Sequence, residues 1–249
     1  MALIDNGIYL AGHRAESPRS REKTYQALRE NAGMAWIGLY RPDATEIRSV
    51  ASEFDLHPLA VEDALTGHQR AMLERYGSTL FLVLRPARYI DEKEEVEFGE
   101  LHLFIGEDFV VTVRHAESMT LSRVRHSLEA NLPLIAKGPQ AVLYSILDEV
   151  VDEYAPVIAG LENDIDEIGN QLFDGDPSVS RRIYDLSREV IEFQRAVHPS
   201  LSGCSKRSSA ARKNTRSNWS SNVPSATSWT TLSASSIERT HSAPSFKTH

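Results

Sequence analysis

The chain has 249 residues, 41% of them hydrophobic and 25% charged, with one cysteine and a formal net charge of −8. It is long enough to bury a substantial core as one large domain or two modest ones. The lone Cys204 excludes an intrachain disulfide framework and fits a reducing compartment; no long apolar run spans a membrane, and the N-terminus lacks the layout of a signal peptide. Charge is divided unevenly: residues 1–199 hold 34 acidic and 20 Lys or Arg side chains, whereas 200–249 hold one acidic residue, Glu238, and seven basic ones. An acidic body argues against nucleic acid as a partner and is compatible with cations.

In chain order, Asn6–Leu10 reads as a first strand and Thr24–Asn31 as a helix ended by Ala32 and Gly33. Met34–Tyr40 is apolar and β-prone, closing on the turn residues Arg41, Pro42 and Asp43. Thr45–Asp55 places Ile47, Val50, Ala51 and Phe54 at helical spacing. His57–Gly67 follows as a short helix, with Pro58 at the first helical position, where a missing N–H has no partner to lose, and Gly67 at the stop. Val61, Ala64 and Leu65 then face the core and turn Glu62 and Asp63 to the sides. Two adjacent carboxylates there are either a solvated face or half of a cation site. Thr79–Arg85 is a dense apolar run that suits a strand covered on both faces. Asp91–Glu97 reads as a charged loop without functional weight, and Glu100–Ile105 and Phe109–Arg114 flank a hairpin turn. His102 within that hairpin reads as a packed or surface strand residue, and Ser118–Asn131 as an amphipathic helix.

From Pro139 the period changes. Leu147, Val150, Tyr154, Val157, Leu161, Ile165, Ile168 and Leu172 recur at steps of three and four, the seam of a long helix with Pro156 as a kink point. Asp176 as N-cap and Pro177 at the first position start a second helix carrying Val179, Ile183, Leu186, Val190, Phe193 and Val197, ended by His198 and Pro199. The expected fold is therefore α+β or α/β: a small mixed sheet with flanking helices over residues 1–136, then a long antiparallel acidic helical hairpin over 137–199. Between Lys137 and Arg181 there is no basic residue and there are ten acidic ones, among them Asp148, Asp152, Glu153, Asp164 and Asp166. Carboxylates this crowded repel one another, and a cation would relieve them; a merely acidic face is the other reading.

His57-Pro-Leu-Ala-Val-Glu-Asp63, then Gln69-Arg70, then Phe81–Arg85, resemble the N-terminal domain of the CorA family of magnesium/cobalt transporters. Leu143–Tyr154 resembles the stretch entering that family's acidic hairpin, and the likeness runs from about Trp36 to Pro199, with Ala71-Met72 standing where the family commonly has Pro-Lys. The resemblance implies the Mg2+-sensing cytosolic part of a pentameric channel, at the cytoplasmic face of the cell membrane. Mg2+ or Co2+ is the ion, and Mg2+ between subunits holds the closed state. By position, Glu62 and Asp63 match the carboxylates on one side of that interface and Asp148 a further ligand, with Asp152, Glu153, Asp164 and Asp166 as secondary candidates on the acidic face. A stand-alone soluble cation-binding module, able to co-assemble with a full-length channel, is the alternative. No catalytic constellation or phosphate loop is visible, so the expectation is not an enzyme.

After Pro199 the family continues into a stalk helix and two membrane spans, whereas residues 201–249 hold 14 Ser and 6 Thr with too few aliphatics to form a seam. The expectation is a chain truncated before the membrane spans, cytoplasmic by itself, whose tail over 200–249 is disordered or read out of frame. Shifting the reading by one base turns the Trp229-Thr230 codons into one for aspartate whichever Thr codon is used, and the flanking positions then permit a stalk-like pattern.

Overall fold

A computed structural model describes residues 3–18, 20–31, 33–67, 69–115, 121–174 and 177–197. In chain order the elements are β1 (Leu3–Leu10), β2 (His13–Glu16), α1 (Arg21–Glu30), β3 (Met34–Tyr40), α2 (Ala44–Glu53), α3 (Pro58–Thr66), β4 (Met72–Tyr76), β5 (Thr79–Leu84), β6 (Ala87–Ile90), β7 (Glu95–Phe98), β8 (Leu101–Ile105), β9 (Phe109–Arg114), α4 (Leu121–Glu129), α5 (Leu132–Ile135), α6 (Pro139–Asp174) and α7 (Val179–Val197). The densest apolar runs, β3, β9, β8 and β5, lie together inside a seven-stranded sheet ordered β2-β1-β3-β9-β8-β5-β4. Only β3 and β9 pair in parallel, so the sheet is mixed.

Alternation along these strands feeds two cores. Trp36, Leu80, Leu82, Leu101, Leu103 and Ile105 face α4, α5 and the first turns of α6, meeting Val124, Leu128, Val142, Ile146 and Val150. Ile37, Phe81, Val83, Phe104, Val111 and Val113 face the other way, toward Tyr25 of α1, Ile47 and Val50 of α2, and Ala60, Val61 and Ala64 of α3. A sheet covered on both faces needs strands with no polar side, which is why β5 is apolar from Leu80 to Leu84 and buried along its whole length. His102 is buried within β8, packed as expected.

α6 runs unbroken through Pro156 and α7 returns against it. Tyr154 meets Phe193 edge to face at 5.3 Å, and nearer the turn Arg182 reaches Glu167, so the pair is antiparallel. A separate ribbon of β6 and β7 lies on this hairpin, sharing a core of Ala87, Val157, Leu161 and Phe193. Gly160 makes that approach possible: a Cβ there would stand 2.4 Å from Cγ of Tyr89.

The mixed sheet, its flanking helices and the long hairpin are as expected, with four differences. The sheet is larger, because the polar edge strands β2 and β4 join it. The charged stretch at 91–97 is not all loop: Glu95–Phe98 is a strand whose Val96 and Phe98 pack on the hairpin while Glu95 and Glu97 face water. Ile165 and Leu172 are 53% and 59% exposed and leave the seam, and Ile183 is exposed too, whereas Asp164 is buried. Finally, α7 begins at Val179 rather than Pro177, since the Pro177-Ser178 turn precedes it and the Ser178 carbonyl accepts from the Arg181 and Arg182 N–H groups. The expected N-cap Asp176, the expected start of α4 at Ser118 and the whole tail over 200–249 lie outside the described residues. Among the described residues no helix is long and apolar enough to cross a membrane.

Candidate functional site

α3 presents the first pair of carboxylates. His57 caps the helix, its Nδ1 accepting from the Leu59 N–H at 3.3 Å, and its ring stacks on Tyr76 of β4 at 4.2 Å. Gly67 ends the helix at φ +64°, a conformation that favours glycine. With Ala60, Val61 and Ala64 anchored in the core, Glu62 projects into solvent and Asp63 lies half-buried at the helix flank. Burial raises the Asp63 pKa above the ordinary carboxylate value, the nearby Glu74 carboxylate raises it next, and Glu62 adds to both against an opposing contribution from His102. Beneath α3 lies a polar layer. His102 Nε2 is 2.8 Å from Glu100 Oε1, that oxygen accepts from the Gln69 N–H, and His115 Nε2 lies 2.7 Å from the Ala64 carbonyl. Burial lowers the His115 pKa.

Asp148 stands exposed on α6, between Leu147 and Val150, which pack into the core on the opposite face of the sheet from α3. One chain therefore does not bring Glu62 and Asp63 together with Asp148: the whole sheet layer separates them. Next to Asp148, Glu149 pairs with Arg123 at 3.5 Å. Glu153, one turn on, has its pKa pushed up to about 7, first by burial and then by Glu149, with Arg123 opposing. Asp152 and Asp166 are exposed. Among the described residues, none of Glu62, Asp63, Asp148, Asp152 or Asp166 forms an ion pair.

Asp164 behaves differently from the rest of the acidic face. It is 3% exposed, and its Oδ2 accepts from the Tyr89 hydroxyl at 2.8 Å. Glu94, in the turn of the β6–β7 ribbon, and Glu167, three residues along α6, bring one carboxylate oxygen each to within 4.8 Å of an Asp164 oxygen and of each other. Arg182 of α7 enters this group, donating from Nη2 to Glu94 at 2.6 Å and to Glu167 at 2.8 Å. Burial raises the Asp164 pKa, while the Arg182 hydrogen bond lowers that of Glu167.

Sequence reasoning singled out Asp164 but missed Glu94 and Glu167 as its companions. A signal was present. Strict alternation of three and four from Leu147 through Val150, Tyr154, Val157 and Leu161 lands on Asp164, then Ile168 and Gln171, so a carboxylate occupies an inward position of the seam. An ionisable residue at such a position demands partners from whatever packs on it.

A profile of the family described as CorA-like Mg2+ transporter protein matches residues 31–219, running past Pro199. The chain is 32% identical over 165 residues to the metal ion transporter candidate YfjQ of Bacillus subtilis, covering 66% of this chain and 50% of that protein. It is 26% identical over 176 residues to the cobalt/magnesium transport protein CorA of Thermotoga maritima, covering 69% of this chain and 50% of the relative. The chain thus spans about half the length of these curated relatives. Its fold matches the soluble domain of CorA from Methanocaldococcus jannaschii with a TM-score of 0.59 at 16% identity, covering 79% of this chain and 76% of that one.

Proposed function

The chain belongs to the CorA-like Mg2+ transporter family, and from that premise we propose that it is the cytosolic Mg2+-sensing portion of a magnesium/cobalt transport channel that works as a homo-oligomer, a pentamer. Glu62 and Asp63 of one copy hold a hydrated divalent ion against a neighbouring copy, and Asp148 is a further carboxylate ligand at that boundary. Mg2+ suits this arrangement because it dehydrates reluctantly and keeps several waters, so it takes one or two carboxylates at an open interface in preference to a closed protein cage. Co2+ accepts the same oxygen donors. Neither ion here does chemistry on a substrate; no enzyme activity is proposed.

The observation that carries the reading is the opposition of the two sets across the sheet. α3 and the start of α6 cover opposite faces, so an ion that uses both sets must take them from different copies. Coupling to conduction then requires only that the ion bind the closed assembly more tightly than the open one. A Kd of about 1 mM corresponds to about 4 kcal/mol per ion, enough for several ions in a ring to hold a closed state and weak enough to respond to cellular Mg2+.

Limited proteolysis over a Mg2+ titration tests this. Added Mg2+ is expected to protect the His57–Gly67 and Pro139–Asp174 regions, and Glu62→Ala with Asp63→Ala to abolish the protection. Protection that survives the double substitution removes those residues from the site.

A further inference from the structure

We propose that Glu94, Asp164 and Glu167 form a second divalent-cation site, lying within one chain and of the oxygen-ligand class that takes Mg2+ or Mn2+, and that Arg182 is its resident competitor. The site is built from three elements: Asp164 and Glu167 at adjacent turns of α6, and Glu94 in the turn of the β6–β7 ribbon. Their ligand oxygens lie within 4.8 Å of one another. Oxygens around an ion held at about 2.1 Å are separated by roughly 3–4 Å, so only a small contraction is needed. The two glutamates supply it once Arg182 releases them, because their side chains are each 47% exposed, while Asp164 is fixed by burial and by Tyr89.

Crowded carboxylates alone would not single out this place; the state of Asp164 does. Its Oδ1 is buried and has no hydrogen-bond partner, although Oδ2 is satisfied by Tyr89. Oδ1 points toward the same guanidinium that the glutamates grip, yet it stops 3.8 Å from Arg182 Nη2, beyond hydrogen-bonding distance. Arg182 therefore satisfies Glu94 through Nε and Nη2, and Glu167 through Nη2, and leaves the buried oxygen unmet. A buried carboxylate oxygen without a donor is costly. A compact ion at the centre of the three reaches every one of them, as a planar fork anchored on another helix does not.

Charge points the same way. Three carboxylates with one guanidinium retain two negative charges, and Asp185, Glu189 and Glu95 line the same cleft against a single lysine, Lys93. The cleft has room for water, about 170 Å³, so the ion can keep part of its hydration shell. Ion and Arg182 compete, because both draw on the Glu94 and Glu167 carboxylates. Binding would detach α7 from the cluster while leaving α6 tied to the ribbon, loosening the two arms of the hairpin.

The test is a Mn2+ titration of the full chain carrying Glu62→Gln, Asp63→Asn and Asp148→Asn, which silences the proposed interfacial ligands, with free Mn2+ read by electron paramagnetic resonance. One Mn2+ per chain is expected, with line broadening of the Gly160 and Gly169 amides locating it on α6. Adding Glu94→Gln and Glu167→Gln, both at exposed positions, should weaken binding by roughly tenfold or more, and Arg182→Gln should tighten it by roughly tenfold, since a competing positive charge is removed. Circular dichroism of each variant confirms the helical hairpin. Absence of Mn2+ binding at millimolar concentration, or an Arg182→Gln chain that binds no more tightly than its parent, overturns the proposal.

Discussion

The carboxylates on α3 and those around Asp164 are the same chemical groups in opposite circumstances. Glu62 and Asp63 project from a helix locked at both ends, and among the described residues neither has an ion-pair partner. Asp164 is drawn into a helix seam, and the chain supplies its own cation, Arg182, together with a donor, Tyr89. Among the described residues the α3 carboxylates pair with no second element, whereas the Asp164 group joins α6, α7 and the β6–β7 ribbon.

The sharpest way to break this contrast is to remove the donor from the buried carboxylate. Tyr89→Phe leaves Asp164 Oδ2 without its hydrogen bond and should cost about 2 kcal/mol, read as a lowered midpoint in urea unfolding. A cost near zero would mean that Asp164 is effectively solvated. Gly160→Ala probes the same docking through sterics. The added methyl meets the Tyr89 ring, so overpacking should outweigh the gain in helix propensity and leave a net loss of about 1–2 kcal/mol.

Glu153 sits between the two circumstances, half-buried and near Arg123, which pairs with Glu149 instead. Its carboxyl titrates near 7 in the folded chain, above its ordinary value of 4.5. The folded state thus keeps a proton that the unfolded state has released, and stability declines as pH rises through this window. Glu153→Gln should flatten that decline and stabilise the chain above pH 7 by about 1 kcal/mol or less, once solvent screening of a half-exposed group is allowed for. The smallest effect belongs to α3. Glu62→Gln with Asp63→Asn should change stability without Mg2+ by no more than about 0.5 kcal/mol, and a larger loss would show that the pair serves the fold.

Much of this arrangement was legible in the residues. β3, β5, β8 and β9 announce themselves because burial on both faces leaves few polar positions to blur the pattern. α3 is legible because Pro58 and Gly67 mark its ends. What stayed hidden are elements whose partners are distant in sequence. β2 has one neighbour and a mostly exposed composition, so nothing local distinguishes it from a loop. β7 does carry a two-residue alternation, Glu95-Val96-Glu97-Phe98, but its charge outweighs that pattern until α7 is in place to cover Val96 and Phe98. Following apolar residues along α6 selects Ile165 and Leu172, which are exposed, over Asp164, which is buried. Hydrophobicity is a proxy for burial, and it fails where a buried charge has been given partners. Glu167 stands one turn from Asp164 on the same helix, whereas Glu94 joins them only through the fold, and no spacing in the sequence connects it to α6.

The central claim is that a divalent ion at Glu62 and Asp63 joins one copy of this domain to the next. Sedimentation velocity of the chain over a Mg2+ titration tests it most directly. The account predicts a shift to a larger assembly with a midpoint near millimolar Mg2+, absent in the Glu62→Gln, Asp63→Asn chain; an assembly state that ignores Mg2+, or that shifts equally in both proteins, contradicts it.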